Sequence, residues 1–310
     1  MFYNNGNAPY PYDEQGNSAP SMQNYPVPPV QDYPMPPMQG YAMPPYQAPG
    51  FSEPMNGQMP MAVVSCKGLS KNYGSVRALD NVNLQLAPGR VIGLLGPNGS
   101  GKTTLIKTLA GLLRPTEGSA EICGTPVGVE TKAMVSYLPD KMFYAGWMRG
   151  VDLLDLFEDF YPDFRRDRAE AMCASMQIPM KIKIKHMSKG TQEKLQLIVT
   201  MARRAALYLL DEPIAGVDPA AREFILHTIM SNCEPGSTVV ISTHLILDVE
   251  PILHEAVFIR DGRVVCYDSV ENIRTREGKS LDELFRDIFR MGLPFRPGQP
   301  NMNNMGGAWQ

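Results

Sequence analysis

The chain is predicted to be an α/β protein with a mainly parallel central sheet, and three observations predict it. From about Ala62 onward, short apolar runs alternate with helical stretches, the order expected of strands covered by helices. The runs at 91–95 and 206–210 are apolar without interruption, as befits strands buried on both faces. With 310 residues, 44% apolar and 20% charged, the chain can bury one large core or two modest ones, since domains commonly hold about 100 to 200 residues.

Residues 1–61 are a different material. Pro, Tyr, Met, Gln and Asn dominate there, Leu and Ile are absent, and YPVPPVQ at Tyr25, YPMPPMQ at Tyr33 and YAMPPYQ at Tyr41 repeat with a period of eight. Such proline density favours extended polyproline II and cannot build a core. A disordered low-complexity tail is expected, serving as a spacer or as a docking strip for a protein partner or for self-association. The α/β body is expected over 62–275. VVSCKGLSKNYGSVRALDNVNLQL reads as two or three strands of an antiparallel subdomain, with turns at Tyr73-Gly74 and Pro88-Gly89. Val91 to Leu95 follows as a buried strand, and Lys102 to Leu113 as a helix stopped by Pro115. A helical lobe is expected at about 140–200, where Val151, Leu154, Phe157 and Phe160 are spaced as one apolar stripe. Strands are expected again at 206–210 and 237–242. Residues 276–310 should form a C-terminal helix and a flexible tail, with Ser280-Leu281-Asp282-Glu283 as a capping box ahead of Leu284, Phe285, Ile288 and Phe289.

The net charge of −3 provides no basic field, so no nucleic-acid partner is expected. The basic run at Lys181, Lys183, Lys185 and His186 reads as a solvated face, with a phospholipid contact as the minority reading. Cys66, Cys123, Cys173, Cys233 and Cys266 are scattered, odd in number and lack a C-x-x-C pair, which fits reduced thiols in the cytosol. No run reaches the roughly 18 apolar residues of a membrane span, and MFYNNGNAPY has neither a basic nor an apolar signal region. The polypeptide is therefore expected neither to cross a bilayer nor to enter the secretory path.

Between the Val91 strand and the Lys102 helix stands Gly96-Pro97-Asn98-Gly99-Ser100-Gly101-Lys102-Thr103-Thr104. This Gly-x4-Gly-Lys-Thr spacing between strand and helix is the phosphate-binding P-loop. Its glycines let successive N–H groups face a polyphosphate at the positive end of the helix. Lys102 would reach the β and γ phosphates, and Thr103 would join a Mg2+ shell. Residues 206–213, ALYLLDEP, end a strand with two adjacent carboxylates. Asp211 is suited to hold Mg2+ through water and Glu212 to orient the attacking water. STVVIST ends in His244, which falls in the same row of strand ends and could contact the γ phosphate or that water.

These residues carry a resemblance to the ATP-binding cassette family, the ATPase subunits of ABC transporters, over roughly residues 63 to 290. GPNGSGKTT is similar to the family's Walker A, LYLLDEP to its Walker B and IAGVD, ending at Asp218, to its D-loop. His244 matches the switch histidine, and Tyr73 looks like the aromatic that stacks on adenine. MSKGTQ falls where the family has its LSGGQ signature. The resemblance implies a P-loop ATP hydrolase with an antiparallel β subdomain and a helical signature lobe. It implies a head-to-tail dimer in which Ser188 and Gly190 complete the ATP site of a second cassette subunit, identical or different. It implies ATP and Mg2+ as ligands, a separate transmembrane permease, and a peripheral position on the cytoplasmic face of the membrane. A soluble cassette ATPase, or an interaction protein using the Pro-rich tail, are the alternatives. Two departures stand out: Asp140, in VSYLPDKMFY, replaces the usual Q-loop glutamine, and Lys189 and Thr191 replace the usual signature glycine and glutamine. Asp140 remains a hard oxygen ligand for Mg2+. Similar S-K-G patterns occur in cassettes of small bacterial export systems, so the change does not mark a degenerate signature; export is the expected direction, with import left open.

Overall fold

The computed structural model describes residues 62–142 and 144–290; the repeats of the N-terminal segment and the last twenty residues lie outside them. Strands β1 (Val64–Tyr73) and β2 (Val76–Leu86) form an antiparallel hairpin. The central sheet begins with β3 (Val91–Leu95), which runs through the P-loop into α1 (Lys102–Leu109). β4 (Glu117–Ile122) and β5 (Thr125–Pro126) return to the hairpin, giving an antiparallel sheet ordered β2-β1-β4-β5. After β6 (Val135–Leu138) come three helices, α2 (Gly150–Phe160), α3 (Arg166–Ser175) and α4 (Lys189–Met201). β7 (Leu207–Asp211), α5 (Pro219–Asn232) and β8 (Thr238–Thr243) follow. A short α6 (Ile246–Val249), the strands β9 (Glu255–Arg260) and β10 (Arg263–Ser269), and the helices α7 (Val270–Glu277) and α8 (Leu281–Arg290) complete the fold.

The second sheet runs β10-β9-β3-β8-β7-β6. Its pairings from β9 through β6 are all parallel, and only β10 is antiparallel. Parallel strands need both faces covered, and β3, β7 and β8 are buried throughout. One face packs on α1 and the antiparallel sheet through Leu94, Leu105, Ile106, Leu209 and Val240. The other packs on the helices of the lobe and of the C-terminal region through Leu210, Ile241, Leu195, Ile225 and Leu284. α8 opens with the expected capping box: the Ser280 N–H donates to Glu283 Oε2, and the Glu283 N–H to Ser280 Oγ. The lobe is tied to the sheet edge by Arg203, buried to 3% exposure. Its guanidinium lies over the Tyr161 ring, pairs with Asp163 and donates to the Val135 carbonyl at 2.7 Å.

Two sequence expectations need correction. The first helix ends at Leu109 rather than at Leu113, because Gly111 turns left-handed at φ +69°. There the Leu112 N–H donates to the Lys107 carbonyl and the Gly111 N–H to that of Thr108, a Schellman closure that stops the helix well before Pro115. The stripe of α2 also ends early. Leu153, Leu154 and Phe157 are buried, but Phe160 is 72% exposed. The chain leaves the helix in extended conformation at Tyr161, and Tyr161 and Phe164 take the positions around Phe157, at ring distances of 5.2 and 5.5 Å.

Candidate nucleotide site

Parallel strands deliver their carboxyl ends to one edge, where α/β folds bind ligands. β3 delivers the P-loop, β7 delivers Asp211 and Glu212, and β8 delivers Ser242, Thr243 and His244. Between them lies a cavity of about 400 Å3 lined by Asn98, Gly99, Gly101, Lys102, Thr103, Thr104, Asp140, Glu212 and His244, together with Ala78 and Ala215. Gly101 caps α1 at φ +109°, and a Cβ there would stand 2.6 Å from the Ala78 carbonyl oxygen. No other residue fits that contact, so the loop can close only on glycine. The α1 amino end carries no side-chain cap, which leaves its N–H groups and positive dipole to the cavity.

Lys102 is 5% exposed. Its ammonium donates to the Gly96 and Pro97 carbonyls at 2.8 and 3.1 Å and stands 3.4 Å from Glu212 Oε1. Glu212 adopts φ +51°, a left-handed conformation that a side chain takes up only where the surroundings enforce it. Here the Glu212 N–H donates to both the carbonyl and the hydroxyl of Ser242. The turn aims the carboxylate at Lys102 on one side and at His244 Nδ1, 3.1 Å away, on the other. Asp211 is 1% exposed. Its Oδ1 accepts from Ser242 Oγ at 2.7 Å and from Thr103 Oγ1 at 3.0 Å, while Oδ2 is buried without a partner among the described residues. Burial raises the Asp211 carboxyl above its ordinary value, the Ser242 and Thr103 hydrogen bonds oppose this, and the charges of Asp140 and Glu212 add to it.

Pro97 and Ser100 close the loop from within. They are joined by a backbone bond at 3.2 Å, and Ser100 Oγ is buried without a partner among the described residues. Asp140 reaches the cavity from the segment after β6, which α4 steadies through a bond from Gln196 Nε2 to the Pro139 carbonyl at 2.8 Å. Tyr73 stands outside this lining, half-exposed at the end of β1 with the Lys71 ammonium over its ring. Ser188 is the N-cap of α4 and accepts from the Thr191 N–H at 3.2 Å. Ser188, Lys189 and Gly190 are exposed and contribute nothing to the cavity of their own chain. Asp218 caps α5, accepting from the Ala221 N–H at 3.0 Å.

Sequence reasoning missed Ser242 and Gln196. Ser242 touches both acids and lies two residues before His244 in an apolar strand, so a hydroxyl at a buried strand end was the available signal. Gln196 carries no such mark, because its partner is a backbone carbonyl 57 residues away.

A family model described as ABC transporter matches residues 79–215. The ABC transporter ATP-binding protein YdbJ of Bacillus subtilis is 30% identical over 232 residues, 73% of this chain and 75% of that one. The Nod factor export ATP-binding protein I of Paraburkholderia xenovorans is 28% identical over 228 residues, covering 67% and 71% of the two chains. Among the first curated relatives, the share of the relative's own length that is matched runs from 58% to 79%. A solved ATP-binding subunit of an ABC transporter superposes with a TM-score of 0.66 at 26% identity, over 73% of this chain and 99% of that one. With the P-loop lysine, Glu212 and His244 gathered on one cavity and Asp211 bonded to Thr103 beside it, the chain belongs to the ABC transporter ATP-binding family and is an ATP hydrolase of that class.

Proposed function

We propose that the chain is the ATPase subunit of an exporter, working as one half of a head-to-tail cassette dimer beneath a separate membrane permease. The observation that carries this reading is the convergence of Lys102, Glu212 and His244 on one cavity at the strand ends, with Asp211 anchored beside them to Thr103. The triphosphate lies along Gly96 to Thr104, with the N–H groups of the loop and of α1 donating to it. Lys102 exchanges its bonds to the Gly96 and Pro97 carbonyls for phosphate oxygens. Glu212 accepts the proton of the attacking water, and His244 holds the carboxylate in line and meets the γ phosphate. The unpartnered, buried Oδ2 of Asp211 fits a divalent cation. Thr103, Asp211 and Asp140 would hold Mg2+, which when bound neutralises charge on the phosphates.

Tyr73, at the exposed end of β1, stacks on the adenine. Ser188 and the Gly190 backbone, open at the α4 amino end, complete the phosphate site of a second cassette, and Asp218 lies in the facing D-loop. None of the helices among the described residues is long and apolar enough to cross a membrane, so transport requires a partner that does, with this chain peripheral at the cytoplasmic face. The cassette comprises residues 62–275. The Pro-rich segment 1–61 remains a candidate docking strip for a protein partner. Export is supported by the S-K-G signature pattern and by the export role printed for the Nod factor relative. The test is Glu212→Gln, which keeps ATP binding and removes the base. Gel filtration with ATP and Mg2+ should show an accumulated dimer, and a purely monomeric profile would sink the sandwich reading.

A further inference from the structure

Tyr137 has a hydroxyl that its packing does not explain. It sits on β6 opposite Leu209 of β7, two residues short of Asp211 along that strand. Side chains alternate along a strand, so Tyr137, Leu209 and Asp211 point to the same face. The contacts agree: Tyr137 packs in the same apolar cluster as Leu209 and the α1 residues Leu105 and Ile106, and Asp211 meets Thr103 of α1. Adjacent strands lie about 4.8 Å apart and rise about 3.3 Å per residue, so a parallel neighbour two residues on is about 8 Å away at Cα, within reach of an aromatic side chain.

A phenylalanine would supply the ring packing equally well. Instead a phenol is present, and its Oη is buried with no partner among the described residues. Asp211 Oδ2 is in the same condition. The phenol can donate, and the ionised carboxylate can only accept; unpaired buried polar atoms are rare enough that two on one sheet face call for a common explanation. Their surroundings are coupled as well. Burial first, and then the charges of Asp211 and Asp140, push the Tyr137 phenol above its ordinary value, so it stays a neutral donor within electrostatic range of both acids.

We propose that the Tyr137 hydroxyl is a positioning group for Asp211: it donates to one ordered water that in turn donates to Oδ2, fixing the carboxylate plane while leaving a lone pair for the cation. Thr103 and Ser242 already hold Oδ1, so this bridge completes the restraint on the second oxygen. A buried water of this kind needs two to four polar partners, and both ends of the bridge are present. The inference rests on the reading of Asp211 as the metal-holding carboxylate.

The experiment uses the full chain with Mn2+ and a non-hydrolysable ATP analogue, bound Mn2+ being followed by electron paramagnetic resonance. Tyr137→Phe should weaken Mn2+ binding roughly tenfold, the loss typical of a group supporting a metal ligand, with unchanged affinity for the metal-free nucleotide and an unchanged melting profile. Asp211→Asn should lose more, and the double variant should lose no more than Asp211→Asn alone. Wild-type Mn2+ affinity in Tyr137→Phe, with a loss in Asp211→Asn, overturns the positioning role and leaves the metal site standing. Strict additivity in the double variant overturns it as well. Wild-type affinity in Asp211→Asn removes the metal reading itself, and the Tyr137 inference with it.

Discussion

The amino ends of α1 and α4 are two solutions to the same electrostatic problem. Both present open N–H groups and a positive dipole end, which favours an anion by roughly 0.3 to 1 kcal/mol when exposed and up to about 2 kcal/mol when partly buried. At α1 the cap is a glycine, Lys102 is almost fully enclosed, and Asp211, Glu212 and His244 stand around the helix end. At α4 the cap is a serine whose hydroxyl meets only Thr191, and the neighbouring Lys189 side chain is 81% exposed, with Glu193 3.6 Å away. The first end carries its own cation and acids. The second has an exposed anion-binding backbone beside Lys189 and Glu193, and its Ser188 and Gly190 line no part of the P-loop cavity, a placement suited to a group brought to it from outside.

The largest effect should come from breaking the enclosed end. Lys102→Ala removes the one lysine that lines the cavity among the described residues and is expected to lower ATPase activity by about 100-fold or more, with ATP affinity falling in parallel by calorimetry. The open end should separate those two quantities. Ser188→Arg is expected to abolish ATPase activity while the dilute monomer binds ATP with unchanged affinity. A large affinity loss in that monomer would mean that the two helix ends serve one site in one chain.

A smaller effect, of opposite sign, should follow from relieving the buried acid. The raised Asp211 value means that the folded chain holds a proton the unfolded chain releases. Its contribution to stability is therefore present below the ordinary carboxylate value of about 4 and is lost as pH rises through the raised folded value. Asp211→Asn should melt higher than the natural chain at neutral pH without nucleotide, with the gap closing as pH falls through the raised folded value. A constant gap across that range would assign the gain to something other than the charge. The smallest change is expected at the far end of α1. Gly111→Ala forces a left-handed residue with a Cβ, costing about 1 kcal/mol and lowering the melting temperature by roughly 2 to 4 °C, with nucleotide affinity retained.

Much of this was legible in the order of residues. The P-loop spacing, the apolar run ending in Asp211-Glu212 and the strand ending in His244 are local patterns whose chemistry is written in consecutive residues, and each falls at the predicted edge. The parallel sheet and the separate helical lobe follow equally from unbroken apolar runs and helical spacing. Leu112 and Leu113 continue the apolar periodicity of α1, whereas a left-handed glycine decides where its hydrogen bonding stops. The apolar spacing of α2 runs on to Phe160, but Tyr161 and Phe164, beyond the helix, take the space around Phe157. What only the tertiary structure decided are relations between strands and lobes distant in sequence: Ser242 gripping both acids, Lys102 turned onto its own loop, Gln196 holding the Asp140 segment, and the burial of Tyr137 Oη and Asp211 Oδ2 without a partner among the described residues. A hydrogen bond depends on distance and direction in space, and neither is encoded by proximity along the chain; periodicity and turn chemistry act over a few residues, and so those alone could be read directly.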